Sequence, residues 1–481
     1  MPPTVTPKLL DVSVQLEDSV AVGRRKRALA GHGSLPVCSI VAAALGIAAT
    51  FPPALRAQAR ADVAFVGVSV IPMDRERIVR DQTVIVRGGR ITAMGPASST
   101  QVPAGALRVE GQGRFLMPGI AEMHGHIPPV GAQGSQFSED ALFLYVAAGA
   151  TTVRGMQGNA TQFELKKRIE SGEIIGPRLV LGSPPLSGNN ATDVATAERL
   201  VRQFREQGYE LLKVHEAIPV AAYDAIVKTA GGLGLPFGGH VSDIVGLHRA
   251  IAAHQSTVDH LDNYVIEMMR DPTGDVTPAN IDESRIPALA KETKDAGVAV
   301  VPTMALWEVI LGVHDPATMM DRPELRYVPA AMVRGWRQNI DARRAQLDIE
   351  QSKYEAALRL KMLKALSDAG ARILMGTDAP QLFSVPGFSL DRELAVMAKA
   401  GMSPFEILRS GTTAMAAHFG WTDAGTVAAG QRADLLLLDA NPLEDIGNIG
   451  RRAGVMVNGR WLAWKEIQAR LDAMAARNGA A

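Results

Sequence analysis

The run Phe115-Leu116-Met117-Pro118-Gly119-Ile120-Ala121-Glu122-Met123 closes in His124-Gly125-His126. Side chains alternate faces along a strand, so an apolar strand ending in His-x-His aims two imidazoles from one side of its C-terminal end. That pair can chelate, and neutral imidazole is the commonest metal ligand. The chain holds ten histidines, most of which are expected at the surface or in satisfied core positions, so the neighbouring residues must decide.

With 481 residues, 47% hydrophobic and 21% charged, the chain is a globular protein with ample core, long enough for a large barrel with an appendage. Fifty basic residues balance fifty acidic ones. No net field is left to attract nucleic acid or an anionic membrane surface, which points to small-molecule chemistry. Self-association into a homo-oligomer stays open.

The N-terminus reads as a leader. Arg24-Arg25-Lys26-Arg27 precedes a weakly apolar stretch from Leu35 to Phe51, and Ala57-Gln58-Ala59 is a small-x-small cleavage site. The stretch is too short for a membrane span, and export to the periplasm or medium is expected. Cys38, the only cysteine, falls inside it, so a mature chain has neither disulfides nor thiolate ligands.

From Asp62 onward, Val63 to Met73 and Gln82 to Met94 are β-rich runs with a turn at Arg87-Gly88-Gly89-Arg90. Matching runs, Ala433 to Asp439 and Gly454 to Arg460, lie at the other end, separated by Asn441-Pro442. Strands from both ends are expected to pair into one small β-sandwich. Between them, eight β-rich runs end near His124, Arg154, Gly182, Val214, His240, His260, Thr303 and Asp378 and alternate with helical segments. This α/β pattern predicts a (β/α)8 TIM barrel, with its chemistry at the C-terminal ends of the strands. The boundaries expected are a leader over 1–59, sandwich segments over 60–117 and 421–467, the barrel over 118–420, and a tail over 468–481. The stretch from Pro329 to Ala369 predicts two helices. Gly182 to Gln203 reads as a loop, holding Ser187-Gly188-Asn189-Asn190, at an open mouth.

Candidate ligands gather at those strand ends: His124 and His126 on the first, Lys213 on the fourth, His240 on the fifth, His260 on the sixth and Asp378 on the eighth. Lys213 sits in the apolar strand Leu211-Leu212-Lys213-Val214, where an isolated ammonium is costly. It either pairs with Glu216 or snorkels to the rim, or else CO2 converts it to a carbamate able to bridge two cations.

These residues, together with Gly149-Ala150-Thr151-Thr152-Val153-Arg154, Gly176-Pro177-Arg178, Gly376-Thr377-Asp378 and Gly430-Gln431-Arg432-Ala433-Asp434-Leu435, resemble the amidohydrolase superfamily, in its imidazolonepropionase-like and prolidase-type branch. The resemblance implies a binuclear centre of two divalent cations, most simply Zn2+. His124, His126 and Asp378 would hold the more buried ion, His240 and His260 the more exposed one, with carbamylated Lys213 between them. A hydroxide held between the cations would attack the substrate, with Asp378 taking and returning the proton. The implied reaction is hydrolysis of a C–N bond in a small amide, such as a dipeptide or an N-acyl amino acid. A cyclic-amide hydrolase with one metal on His124, His126, His240 and Asp378 is the alternative within the family. A metal-free barrel scaffold is the alternative of another class.

One departure concerns His215, which stands where prolidase-type members often carry tyrosine. It is a candidate substrate-binding residue or a structural histidine at the barrel rim, with Arg154 either for a substrate carboxylate or paired with an acidic neighbour in the barrel, and Tyr264 as a pocket wall. Asp391 reads as structural, and His248, His254, His314 and His418 need no functional explanation.

Overall fold

The computed structural model describes residues 62–131 and 134–479. The expected leader, with Cys38, lies outside them. Five strands come first: β1 (Val63–Val70), β2 (Val79–Arg87), β3 (Arg90–Pro96), β4 (Leu107–Glu110) and β5 (Phe115–Pro118). Eight short strands follow, alternating with helices: β6 (Ile120–Gly125), β7 (Ala150–Gly155), β8 (Arg178–Leu181), β9 (Leu212–Val214), β10 (Phe237–Gly239), β11 (Thr257–Asp259), β12 (Ala299–Val301) and β13 (Arg372–Ile373). The chain closes with β14 (Leu435–Leu438), β15 (Arg452–Val457), β16 (Arg460–Ala463) and a helix over Trp464–Gly479, so the segment expected as a tail is helical.

The strands from both chain ends do pair. One sheet runs β16-β15-β14-β5-β1-β2-β3, with β4 beside β1, and the join is the antiparallel pairing of Leu435 with Pro118 and Leu437 with Leu116. Alternate residues such as Phe65, Val84, Leu116, Leu435 and Met456 pack into one apolar cluster.

The middle strands form two parallel sheets, β6-β7-β8 and β9-β10-β11-β12-β13. Backbone hydrogen bonds link their edges. Glu210 N donates to Leu181 O and Ser183 N to Leu211 O, both at 2.9 Å, while Met123 N donates to Met375 O at 2.9 Å and Asp378 N to His124 O at 2.8 Å. All-parallel strands of this kind are covered on both faces, which explains their nearly continuous apolar runs.

The run Phe115 to Gly125 is two strands rather than one. It leaves the end-strand sheet and enters the parallel one at Gly119, where a Cβ would stand 2.2 Å from Thr151 Oγ1. Pro329 to Ala369 holds the two helices expected, Ala330–Arg344 and Ile349–Asp368. The loop read from Gly182 to Gln203 is shorter than expected, because a helix over Val194–Gln207 begins where Asp193 accepts from Thr196 N at 2.9 Å. Among the described residues no helix is long and apolar enough to cross a membrane.

Candidate metal centre

The strand ends gather the six expected ligands, the other five arranged around His124. The rings of His124 and His260 lie 4.4 Å apart, those of His240 and His260 4.3 Å, and those of His124 and His126 5.7 Å. Asp378 Oδ1 stands 2.8 Å from His126 Nε2 and 3.5 Å from His124 Nε2, and its Oδ2 is 3.8 Å from His260 Nε2. Lys213 Nζ reaches to 3.2 Å from His124 Nε2. Asp378 and His260 both adopt left-handed φ, +60° and +65°, which turns each chain sharply off its strand and points the side chain inward. Such backbone strain in non-glycine residues gathers at functional sites.

His126 Nε2, His260 Nε2 and Asp378 Oδ1 are buried without a hydrogen-bond partner. Two of these atoms are only 2.8 Å apart yet do not share a hydrogen bond. Buried polar atoms left in this way call for a further partner such as an ion. His124, His126 and Asp378 form a group able to hold a metal ion, and Glu216, His240 and Asp262 form a second.

A family model described as the amidohydrolase family matches residues 115–462. The chain belongs to the amidohydrolase family. A relative, adenine deaminase 2 of Bradyrhizobium sp. (strain ORS 278), is 24% identical over 386 residues, which cover 79% of this chain and 54% of that protein. The chain thus spans about half the length of that relative. Among solved structures, bottromycin amidohydrolase superposes with a TM-score of 0.68 at 21% identity, covering 87% of this chain and 91% of that one. A Xaa-Pro dipeptidase with bound methionine in its active site gives 0.63 at 16%, covering 84% and 100%. At these identities the likeness is one of fold.

In this amidohydrolase three of the four histidines are braced from behind. Asp259 Oδ2 accepts from His124 Nδ1 at 2.6 Å and from Arg154 Nη2 at 2.9 Å. Asp262 Oδ2 accepts from His240 Nδ1 at 2.8 Å, and His260 Nδ1 meets Thr303 Oγ1 at 2.8 Å. A carboxylate on Nδ1 fixes the tautomer and leaves Nε2 as the lone-pair nitrogen. The motif Asp259-His260 drew attention to the histidine, but the aspartate serves a different histidine, His124.

Glu122 is a further residue that sequence reasoning passed over. Fully buried, it accepts from His124 N and Thr377 N at 2.9 Å and from Thr377 Oγ1 at 2.6 Å, so it ties the first ligand strand to the segment carrying Asp378. Gly376 allows that approach, since a Cβ there would lie 2.8 Å from His124 N. Burial pushes Glu122 up to about 8 in spite of its donors.

The electrostatics follow from burial. Burial, then the Lys213 charge, lowers His124 to about 4 and His240 well below its usual value; burial and then His124 lower His260. Each ring is thereby kept neutral, as a ligand must be. Burial pushes Asp378 up, but His124 and His126 outweigh it and hold the carboxyl far below the usual range. Burial also lowers Lys213.

Two expectations for substrate contact are corrected. Arg154 is fully buried, with Nε donating to Met123 O at 2.5 Å and Nη1 to Thr257 Oγ1 at 2.9 Å besides its pair with Asp259; it braces the strands and faces no substrate. Tyr264 is buried with its hydroxyl 2.7 Å from Thr293 Oγ1, packed on the helix Ile286–Asp295 rather than lining the site. His215 does border the cluster, its ring 4.3 Å from that of His240 and its Nδ1 accepting from Glu216 N at 2.8 Å. Asp391 pairs with Arg452.

Proposed function

We propose that this amidohydrolase hydrolyses the C–N bond of a small amide, a dipeptide or an N-acyl amino acid, using two divalent cations, most simply Zn2+, and a Lys213 carbamylated by CO2. The observation that carries this reading is the set of buried, unpartnered atoms on His126, His260 and Asp378, with His126 Nε2 only 2.8 Å from Asp378 Oδ1 and both grouped with His124. His124, His126 and Asp378 would hold one ion and His240 and His260 the other, with Lys213 between them. The cations, when bound, supply an acidified water and polarise the scissile carbonyl.

The chain's own groups do the rest. Asp378, held as an anion among imidazoles, accepts the proton of the attacking water and passes it to the leaving nitrogen. Lys213 is buried and its proton is disfavoured, so its amine can add to CO2, losing one proton to give the carbamate. Asp259, Asp262 and Thr303 orient the imidazoles. His215, beside His240, would donate to a substrate carbonyl or carboxylate.

The edge bonds from Leu181 to Glu210 and from Met375 to Met123 support closure of the two parallel sheets into a (β/α)8 barrel. In the end-strand sheet, Phe65 on β1 and Trp461 on β16 touch at 5.1 Å between ring centroids, though four strand spacings, about 19 Å in a flat sheet, separate them. This supports a sheet curled into a sandwich. The leader-like pattern before Ala59 supports export.

The test is elemental analysis of the purified protein, prepared without chelators and with bicarbonate present, followed by a screen of dipeptides and N-acyl amino acids. Two metal equivalents with amide hydrolysis are expected. One equivalent would move the assignment to a cyclic-amide hydrolase, and a folded protein that takes up none would make it a scaffold.

A further inference from the structure

At the opposite end of the strands from the histidines, a cavity of about 140 Å³ lies where the helix Thr161–Glu170 and the first residue of β8 face the end-strand sheet. Its wall includes Lys166, Arg178, Arg432, Gly89, Asp434 and Asn458. A second hollow of about 390 Å³ adjoins it and shares Lys166, Arg178 and Arg432.

The Nε atoms of both Arg178 and Arg432 are buried there without a hydrogen-bond partner. Carboxylates border the hollows as well: Glu170 lines both, and the others pair with cations of the site or beside it. Asp423 lies 2.9 Å from Arg90 and 3.3 Å from Arg432 Nε, Glu210 lies 2.6 Å from Lys166, and Asp434 accepts from Asn458 N at 2.7 Å. No carboxylate lies within ion-pair distance of Arg178 among the described residues. Burial pushes the Arg432 guanidinium down, and the Arg178 charge adds to this. Buried charged donors left without acceptors are costly, and native structures satisfy them with water or ions.

We propose that Arg178, Arg432 and Lys166 form a site for a tetrahedral oxyanion, inorganic or carried as a phosphoryl group, that clasps the end-strand sheet to the N-terminal end of β8. Guanidinium groups from two separate elements suit a ligand with acceptor oxygens on several sides, and arginine is the residue that binds such groups bidentately. The cavity exceeds the roughly 30 Å³ share of one water several-fold, and the adjoining hollow leaves room for a small substituent on the anion.

The test is calorimetric titration of the full metal-loaded protein with sodium sulfate, inorganic phosphate and glycerol 3-phosphate, against sodium chloride at matched ionic strength. Saturable binding at one per chain is expected, weakened by about tenfold or more in Arg178→Met and in Arg432→Met and unchanged in Asp378→Asn. Should the arginine variants fail to fold, Lys166→Met, with its partly exposed side chain, is expected to weaken binding severalfold. Phosphate and sulfate binding alike indicates a free oxyanion; tighter binding of glycerol phosphate indicates a phosphoryl compound. Absence of saturable binding, equal affinity in all three cation variants, or loss of binding in Asp378→Asn would overturn the proposal, the last by placing the anion at the metal centre.

Discussion

Lys213 Nζ lies 3.2 Å from His124 Nε2, with both side chains buried. An ammonium in this place would sit among imidazoles, and burial already disfavours its proton. Gly239 makes the place available: at φ +126° it passes so close that a Cβ would stand 2.8 Å from Lys213 Cδ. The absence of a side chain at Gly239 thus leaves the room that the lysine stem occupies on its way to the histidines.

Lys213→Ala is expected to lower metal content from two equivalents toward one and to cut activity by at least about a hundredfold, as loss of a positioned catalytic group commonly does. A short carboxylic acid such as propionate should restore part of both. Metal content that stays at two would remove the carbamate bridge.

Asp378→Asn should lower kcat by roughly 10²–10⁴-fold, the usual contribution of a general acid–base group, while circular dichroism stays that of the parent. Amide nitrogen cannot take the proton. Activity within a few-fold of the parent would end this role for Asp378.

Asp259→Asn strikes a residue that never touches substrate. It removes the anion between Arg154 and His124 and leaves a guanidinium buried beside a neutral amide. Breaking a buried pair in this way costs about 3–5 kcal/mol, and loss of a carboxylate behind a ligand histidine weakens metal binding by about 10–100-fold. Denaturant titration and competition with a chelator measure the two effects separately; if neither moves, the bracing account fails.

Acid stability should carry a signature from His418. Burial, with Arg154 and Arg372 adding to it, lowers this imidazole to about 3. Between pH about 6.5 and 3 the unfolded chain binds a proton there that the folded chain does not. Stability therefore falls on acidification across that window, by at most about 1.4 kcal/mol per pH unit from this one group. His418→Gln should flatten the curve of unfolding free energy against pH over the same range, and parallel curves for parent and variant would refute the assignment.

Much of the site could be read along the chain because its signals are local. His124-Gly125-His126, Lys213, His240, His260 and Asp378 each end a short apolar run, and a parallel sheet brings such ends to one place. The order of the elements was legible for the same reason, since an apolar run and the helix after it are contiguous in sequence. Most of the helix over Val194–Gln207 falls inside the stretch read as a loop to Gln203, because the run Ser187-Gly188-Asn189-Asn190 and the small first turn Val194-Ala195-Thr196-Ala197 read as turn-rich, and only the cap at Asp193 marks the helix start.

The sequence by itself determined which residue types stand at the strand ends, and that strands from the two chain termini share one sheet. Tertiary structure alone decided which carboxylate braces which histidine. Asp259 is adjacent to His260 in the chain but bonds His124, 135 positions away, because side chains of β6 and β11, strands of different sheets that do not pair, meet in a shared interior, while consecutive side chains on one strand point apart. It also decided that Arg154 and Tyr264 belong to the core. Both carry polar groups suited to a substrate, and only the register of the strands and helices around them shows that Asp259, Thr257, Met123 and Thr293 had already taken those groups.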